Sequence, residues 1–247
     1  MVTILGAAAS GLAHNQAVMD VIGHNLSNVN TQGYKKFRAL AQGKPDAVQQ
    51  PEGGRLGVAE TTRDLIFNQS APQATDDALH FSIQDDTFFR VLESGGSAAF
   101  TRLGSLSVDS ARNITAYRGR FLQPPVTLPV GMTQPGIDQA GVISALDESG
   151  ARQTIGQITL VRFTNPQGLE AIGDGLYRET VNSGATSEGN PTENGFAGVI
   201  SGTLEGSNVE IAEEFTNMII AQRAYQASAK TFSVGDEMLA LATNLTR

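Results

Sequence analysis

Both ends of the chain repeat apolar side chains every seven residues, a period typical of helices that pack along a narrow seam. Near the N-terminus the two rows of this seam are Leu5, Leu12, Met19 and Leu26, and Ala8, Asn15, Ile22 and Val29. Near the C-terminus the large row is Ile211, Met218, Tyr225, Phe232 and Leu239, and the small row beside it is Ala221, Ser228, Gly235 and Ala242. Stripes this narrow predict two helices that pack against other helices rather than against a thick core.

The periodicity leaves two interpretations of these helices open. They could form a self-contained antiparallel hairpin, or they could form a surface on which other subunits assemble. At the start of the C-terminal segment, Ser207 and Glu210 have the spacing of a capping box, in which a hydroxyl and a carboxylate satisfy the free N–H groups of a helix start. A helix that begins there could run for about 40 residues, or roughly 60 Å.

Residues between the two ends lose the helical period and alternate as strands do. The run LHFSIQ (79–84) alternates apolar and polar side chains, and FFRVLESGGSAAFTR has the pattern of a strand, a Gly-Gly turn and a second strand. Further strands are predicted at 157–163 and 175–181, and turn-forming dipeptides recur throughout. We therefore predict an α+β fold, in which the N- and C-terminal helices form a coiled-coil-like pair and the all-β centre forms small sandwich- or barrel-like sheets.

The same patterns predict three regions. Residues 1–33 and 207–247 would form a helical assembly domain, residues 34–78 an extended linker or contact segment, and residues 79–206 a β-rich outer domain. Within the linker, residues 41–62 are polar and rich in proline and glycine, which is typical of a loop or an extended segment.

Composition excludes several functional classes. A net charge of −8 gives no basic face for nucleic acid, and no segment approaches the roughly 18–20 apolar residues of a membrane span. The acidic pairs Asp76-Asp77 and Asp85-Asp86 have no basic partner fixed by the sequence. His14, His24 and His80 have no neighbouring ligands, and there is no cysteine. We therefore predict no catalytic site, no cofactor and no metal site, and hence not an enzyme. The first residues lack the basic start of a signal peptide, so we expect no cleaved signal.

Longer runs at both ends resemble a known family. The segment NQAVMDVIGHNLSNVNTQGYKK is similar to the N-terminal signature of the bacterial flagellar axial proteins, and LEGSNVEIAEEFTNMIIAQRAYQASAKTFSVGDEML is similar to their C-terminal signature. Central runs such as GQITLVRFTNPQGLEAIGDGLYRET resemble the β region of rod and hook proteins. The likeness is weakest at residues 39–60 and 110–135. Within the flagellar basal-body rod family, the chain length and the runs NMIIAQRAYQASAKT and GLEAIGDGLYRET favour the distal rod type. The sister β-domain-bearing rod subunit and a hook-type subunit remain alternatives, and a soluble β-domain binding module is a remote one.

The resemblance implies a structural role. Copies would polymerise into a rigid, hollow, helical drive shaft that transmits torque from motor to hook and forms part of the export channel. The implied partners are other copies, other rod subunits, the hook protein, the ring bushing of the basal body and the type III export apparatus. The implied location is the basal body, where the rod crosses the periplasm of a two-membrane cell. In a lone subunit the seams of the terminal helices would stay exposed, and residues 41–62 would stiffen the rod.

The resemblance also gives the polar run after the first helix a role. Asn25, Asn28, Asn30 and Thr31 would satisfy backbone groups where the helix stops, and Gly33 would allow a left-handed backbone. Tyr34 and Lys35 would then begin an outward strand. The predicted assembly interface comprises Leu5, Leu12, Met19, Ile22, Leu26, Val29, Ile211, Met218, Tyr225, Phe232 and Leu239.

Overall fold

A computed structural model describes residues 2–43, 58–93 and 95–245, which belong to two compact units. The first unit is drawn from both ends of the chain and includes residues 36–66, and the second comprises residues 30–35 and 67–208. Much of the polar segment 41–62, namely residues 44–57, lies outside the described residues. No described helix is both long enough and apolar enough to cross a membrane.

The first unit consists of two long helices and a two-stranded sheet. Helix α1 spans Val2–Ser27 and helix α2 spans Ile211–Leu245. Strands β1 (Phe37–Gly43) and β2 (Val58–Leu65) pair antiparallel. The helix α1 packs against α2 and against both strands, and the His14 ring lies 2.9 Å from the hydroxyl of Thr61 on β2.

The two helices run antiparallel and approach each other closely. The contacts between them are Leu5 with Gly235, Gly11 with Ser228, and Asn25 with Glu214. Residue numbers therefore decrease along α2 as they increase along α1. A methyl group added to Gly235 would lie only 2.9 Å from Cδ2 of Leu5. Ser228 and Gly235 of the small row therefore face α1 within the same chain, where small side chains allow this approach.

The second unit holds sixteen short strands in its described residues. They are β3 (Pro72–Ala74), β4 (Phe81–Ile83), β5 (Thr87–Leu92), β6 (Ala98–Thr101), β7 (Ser107–Val108), β8 (Ile114–Ala116), β9 (Arg120–Gln123), β10 (Thr133–Ile137), β11 (Val142–Leu146), β12 (Arg152–Gln157), β13 (Leu160–Phe163), β14 (Glu170–Gly173), β15 (Leu176–Arg178), β16 (Thr186–Gly189), β17 (Val199–Ser201) and β18 (Thr203–Glu205). Short 3₁₀ turns lie at Tyr117–Gly119, Pro166–Gly168 and Val181–Ser183.

These strands form four sheets. The largest has nine strands, in which β14, β15, β6, β5, β9, β8 and β7 follow one another and β13 joins β5 to β16. Strands β10, β11 and β12 form a three-stranded meander, and β17–β4 and β18–β3 are two-stranded pairs. The described pairings are antiparallel, as short turns between consecutive strands allow.

The core of the second unit contains the apolar side chains that the alternating strand pattern predicts to face inward. Phe81, Ile83, Phe89 and Val91 have no exposed surface, and they belong to one cluster with residues of the meander such as Ile143. A second group of rings packs edge to face, with Phe88 5.4 Å from Phe67 and 5.7 Å from Tyr177. Burial of these side chains is the main stabilising contribution in this unit.

The prediction of helical ends around a β centre is confirmed, and two boundaries are corrected. Helix α2 begins at Ile211, where the Glu210 carbonyl accepts the Glu214 amide, so the predicted capping box at Ser207 and Glu210 precedes the helix. The first strand begins at Phe37 rather than at Tyr34 and Lys35. The finer predictions, a coiled coil and a sandwich or barrel, stay predictions.

Candidate assembly surface

The end of α1 is fixed by one buried asparagine. The Asn25 amide nitrogen donates to the Phe37 carbonyl at 2.8 Å, and its side-chain oxygen accepts the Phe37 amide at 2.9 Å. The same nitrogen lies 3.4 Å from Glu214 of α2. Asn25 is almost fully buried, so this single side chain joins the end of α1, the start of β1 and the first turn of α2.

The other polar residues of this run act locally. The Asn28 side chain and the Ser27 hydroxyl both donate to the His24 carbonyl, at 2.8 and 2.9 Å. These bonds supply donors to a carbonyl in the last turn of the helix, where intrahelical donors run out. Asn30 and Thr31 are exposed. In the second unit, Gly33 has φ of 66° and its amide donates to the Glu205 carbonyl at 2.8 Å.

Replacing Asn25 with alanine should lower the free energy of unfolding by about 2 kcal/mol, because two hydrogen bonds of roughly 1 kcal/mol each are removed. Thermal unfolding followed by far-ultraviolet circular dichroism would measure the loss, since this unit carries both long helices. Asn30→Ala, an exposed position in the same run, should change stability by less than about 0.5 kcal/mol. Equal losses in the two variants would contradict the assigned role of Asn25.

The structure divides the predicted assembly interface into three groups by exposure. Ile22 is buried within the chain, so it is not available to another subunit. The half-buried group is Leu5, Leu12, Met19, Leu26, Val29, Met218 and Leu239. The exposed group is Ile211, Tyr225 and Phe232. The expectation that the seams stay exposed in a lone subunit therefore holds for the exposed group and is corrected for the rest, because α1 and α2 bury part of the seams against each other.

Helix α2 exposes more large apolar side chains than the heptad rows predict. The exposed set is Ile211, Phe215, Ile219, Ile220, Tyr225, Phe232, Val234, Met238 and Leu241. Leu241 and Ile220 each expose more than three fifths of their surface. Exposed apolar surface of this extent marks an interaction site rather than an ordinary solvated face.

A groove of about 470 Å³ lies within the first unit, between the helices and the sheet. Its apolar lining includes Val18, Phe37, Ile66, Ile220 and Ala224. Its polar lining includes Asn25, Lys36, Glu213 and Glu214, of which Lys36 bonds Glu213 at 2.7 Å and lies 4.0 Å from Glu214. The groove therefore combines apolar walls with polar groups, of which these four already have partners.

The second unit contains a buried charge cluster that sequence reasoning missed. Lys35 Nζ donates to Glu205 at 2.7 Å and to the Asn68 carbonyl at 2.8 Å. Arg102 donates to the other Glu205 oxygen at 2.9 Å and to the carbonyls of Asp85 and Thr87. All three charged side chains are almost fully buried. Two cations thus surround one carboxylate. Arg102 directly follows β6, Glu205 ends β18 and Lys35 lies in the segment after α1, so the cluster joins these three parts of the chain.

Burial by itself would raise the pKa of Glu205, but Arg102 and Lys35 overcome that effect and hold it below its usual range. Burial lowers the pKa of Lys35, and Glu205 opposes that shift. For a depressed carboxyl pKa, the stabilising contribution is complete above the ordinary glutamate pKa and is lost as pH falls through the lowered value.

The free energy of unfolding should therefore fall as the pH is lowered below the ordinary pKa of a glutamate, because the unfolded chain binds a proton that folded Glu205 resists. Urea titrations at a series of acidic pH values would measure the slope. Other carboxylates contribute to it, so Glu205→Gln is the matched comparison and should give a shallower slope over the same range. Identical slopes would contradict the pairing of Glu205 in the folded state.

His80 lies beside the first acidic pair, with its Nε2 3.8 Å from a carboxylate oxygen of Asp77. The His80 ring lies 3.1 Å from Thr75 and 3.3 Å from Ser105, and Asp85 pairs with Arg162. Within residues 2–43, 58–93 and 95–245, no three His, Asp or Glu side chains are grouped so as to hold a metal ion.

Three family models match different parts of the chain. The model described as "Flagella basal body rod protein" matches residues 5–35, "Flagellar hook protein FlgE/F/G D1 domain" matches 82–145, and "Flagellar basal body rod FlgEFG protein C-terminal" matches 200–245. The chain is 38% identical to the flagellar basal-body rod protein FlgG of Borreliella burgdorferi and 35% identical to that of Bacillus subtilis, with both chains covered in full each time. The chain belongs to the flagellar basal-body rod protein family. In this rod protein the two terminal matches cover most of α1 with its exit and all of α2, the two helices of the first unit.

A third curated relative agrees with that assignment. The rod protein FlgG of Caulobacter vibrioides is 35% identical over 98% of each chain. Among solved structures, the flagellar hook protein FlgE2 of Helicobacter pylori covers 71% of this rod protein and 39% of its own chain, at 16% identity and a TM-score of 0.24. That TM-score is too low to support a comparison of the two folds.

Proposed function

We propose that this chain is a structural subunit of the flagellar distal rod. Copies of it polymerise into a rigid, hollow, helical shaft that carries torque from motor to hook and encloses part of the export channel. The observation that carries this proposal is the row of large apolar side chains exposed on α2. The full-length similarity to rod proteins named FlgG supports it.

In this proposal the three regions of the chain have different roles. The helical segments 1–33 and 207–247 form the inner core as a coiled-coil-like antiparallel pair, and residues 79–206 form the outer domain. Residues 34–78 connect them and contact neighbouring subunits. The partners are other copies, other rod subunits, the hook protein, the ring bushing and the type III export apparatus, and the site is the basal body.

Assembly requires that the exposed apolar surface of α2 be buried by other subunits. Full burial of one large aliphatic side chain contributes about 1.5–3 kcal/mol. Several such side chains lie on α2, so their combined burial is large enough to offset the loss of freedom on association. Repeating a contact between unlike surfaces, with a rotation that does not close, gives a filament rather than a ring.

Concentrated full-length protein should therefore form straight, rigid filaments visible by negative-stain electron microscopy. The double variant Met238→Asp with Leu241→Asp should raise the protein concentration needed for filaments by at least about 100-fold, because two apolar contacts are replaced by buried charge. The control carries the same two added charges on polar, exposed positions of α2, as Gln226→Asp with Thr231→Asp.

Three outcomes decide the proposal. Straight filaments that depend on Met238 and Leu241 support it. Curved, flexible filaments would favour a hook-type subunit. A compact monomer that shows no association at high concentration would refute a rod role.

A further inference from the structure

The first three turns of α2 present an apolar ridge, defined by Ile211, Phe215 and Ile219. These residues are four positions apart, so they lie along one face of the helix. Each exposes about half of its surface or more, and Ile219 exposes 58%. The next residue in this row, four positions after Ile219, is Arg223, and Gln222 lies beside it. Covering the three apolar side chains does not require burying the charge of Arg223, because a long arginine side chain can keep its guanidinium in water.

The groove of the first unit opens on a different side of the same helix. Asn217, Ile220 and Ala224 are among the α2 residues that line it. Phe215 and Ala224 are nine positions apart, which is two and a half turns of an α-helix, so they lie on opposite sides of α2. One copy thus presents a ridge on one side and a groove on the other, at the same height along the helix.

The groove is suited to an apolar insert. Its volume of about 470 Å³ exceeds that of a single large side chain, and its walls include Val18, Ile66 and Ile220. Some of the polar groups that line it already have partners, since Asn25 bonds the Phe37 backbone and Lys36 bonds Glu213. An apolar insert would leave these bonds in place, so these groups would add no penalty for burying unpaired polar atoms.

We propose that the ridge of one copy inserts into the groove of the next copy. This inference rests on the proposed function and specifies its subunit contact. The ridge and the groove are unlike surfaces on opposite sides of one helix, so the contact is heterologous and each bound copy still offers one free ridge and one free groove. A ridge-to-ridge contact, by contrast, would end at a dimer.

Ile219 and Ile220 give a matched pair of variants. They are adjacent on α2 and expose 58% and 61% of their surfaces, so neither substitution disturbs the core. Ile219→Asp removes the ridge and leaves the groove, whereas Ile220→Asp alters the groove and leaves the ridge. Each variant alone should show at least a tenfold weaker self-association than the unaltered full chain in sedimentation velocity. Thr231→Asp, an exposed change outside both surfaces, should associate like the unaltered chain.

The mixture of the two variants is the decisive measurement. An equimolar mixture of Ile219→Asp and Ile220→Asp should form a 1:1 complex that does not grow, because only one intact ridge and one intact groove can meet. Absence of that complex would overturn the inference, and so would undiminished self-association of Ile220→Asp alone. In both cases filaments of the unaltered chain would leave the rod proposal standing. Failure of the unaltered chain to associate at all would overturn both.

Discussion

Replacing Glu205 with glutamine is expected to lower the free energy of unfolding by about 3–5 kcal/mol, since it leaves two buried cations without a counter-charge. Lys35 and Arg102 both bond this carboxylate, and all three side chains are almost fully buried. The amide of glutamine keeps the shape of the side chain but not its charge. Urea unfolding, followed by tyrosine fluorescence, would give the change, because Tyr177 is buried in the same unit.

If charge balance stabilises the cluster, loss of the carboxylate should lower stability more than loss of one cation. Lys35→Met leaves one cation and one carboxylate, which still pair, so it should lower stability by less than Glu205→Gln does. The exposed Glu179→Gln is the control for loss of a carboxylate and should change stability by less than about 0.5 kcal/mol. If Lys35→Met were the more harmful change, charge balance would not be what stabilises the cluster.

Local sequence patterns predicted the kind of each element but not its partners. The seven-residue period identified both helices, and alternation around Phe81 and Phe89 identified core strands, because such patterns depend only on nearby residues. The bond between Lys35 and Glu205 joins positions 170 residues apart, and no local pattern records such a distance. Lys35 was therefore predicted to begin a strand, whereas its charge lies in the interior of the second unit.

The heptad rows show the same limit at the candidate assembly surface. They identified small residues such as Gly235 and large ones such as Phe232, and the small row allows the close approach of α1. The seven-residue period does not distinguish buried from exposed positions. Ile22 is covered by its own chain, whereas Ile211 is exposed. Phe215 and Ile219 lie outside both rows and were missed, although their spacing of four was visible in the sequence.

Replacing Gly104 with alanine is expected to lower the free energy of unfolding by about 3 kcal/mol, at the upper end for overpacking of a close-packed core. The added methyl carbon would lie 1.9 Å from the Phe81 carbonyl oxygen, a backbone atom that no side-chain rotation can move. The Phe81 amide also donates to the Gly104 carbonyl at 3.0 Å, so the two backbones cannot separate without breaking a hydrogen bond. Because Phe81 is fully buried in the core cluster, the displacement would spread to its neighbours.

Gly95→Ala provides the matched control for loss of a glycine. Gly95 lies in the turn between β5 and β6, and a methyl group there would meet no atom within 4 Å. Alanine at that position should change stability by less than about 0.5 kcal/mol, and urea unfolding of both variants would measure the difference. Similar losses at the two positions would mean that glycine is needed for chain flexibility, whereas a loss confined to Gly104 would show that the second unit depends on the close approach of its backbone to Phe81.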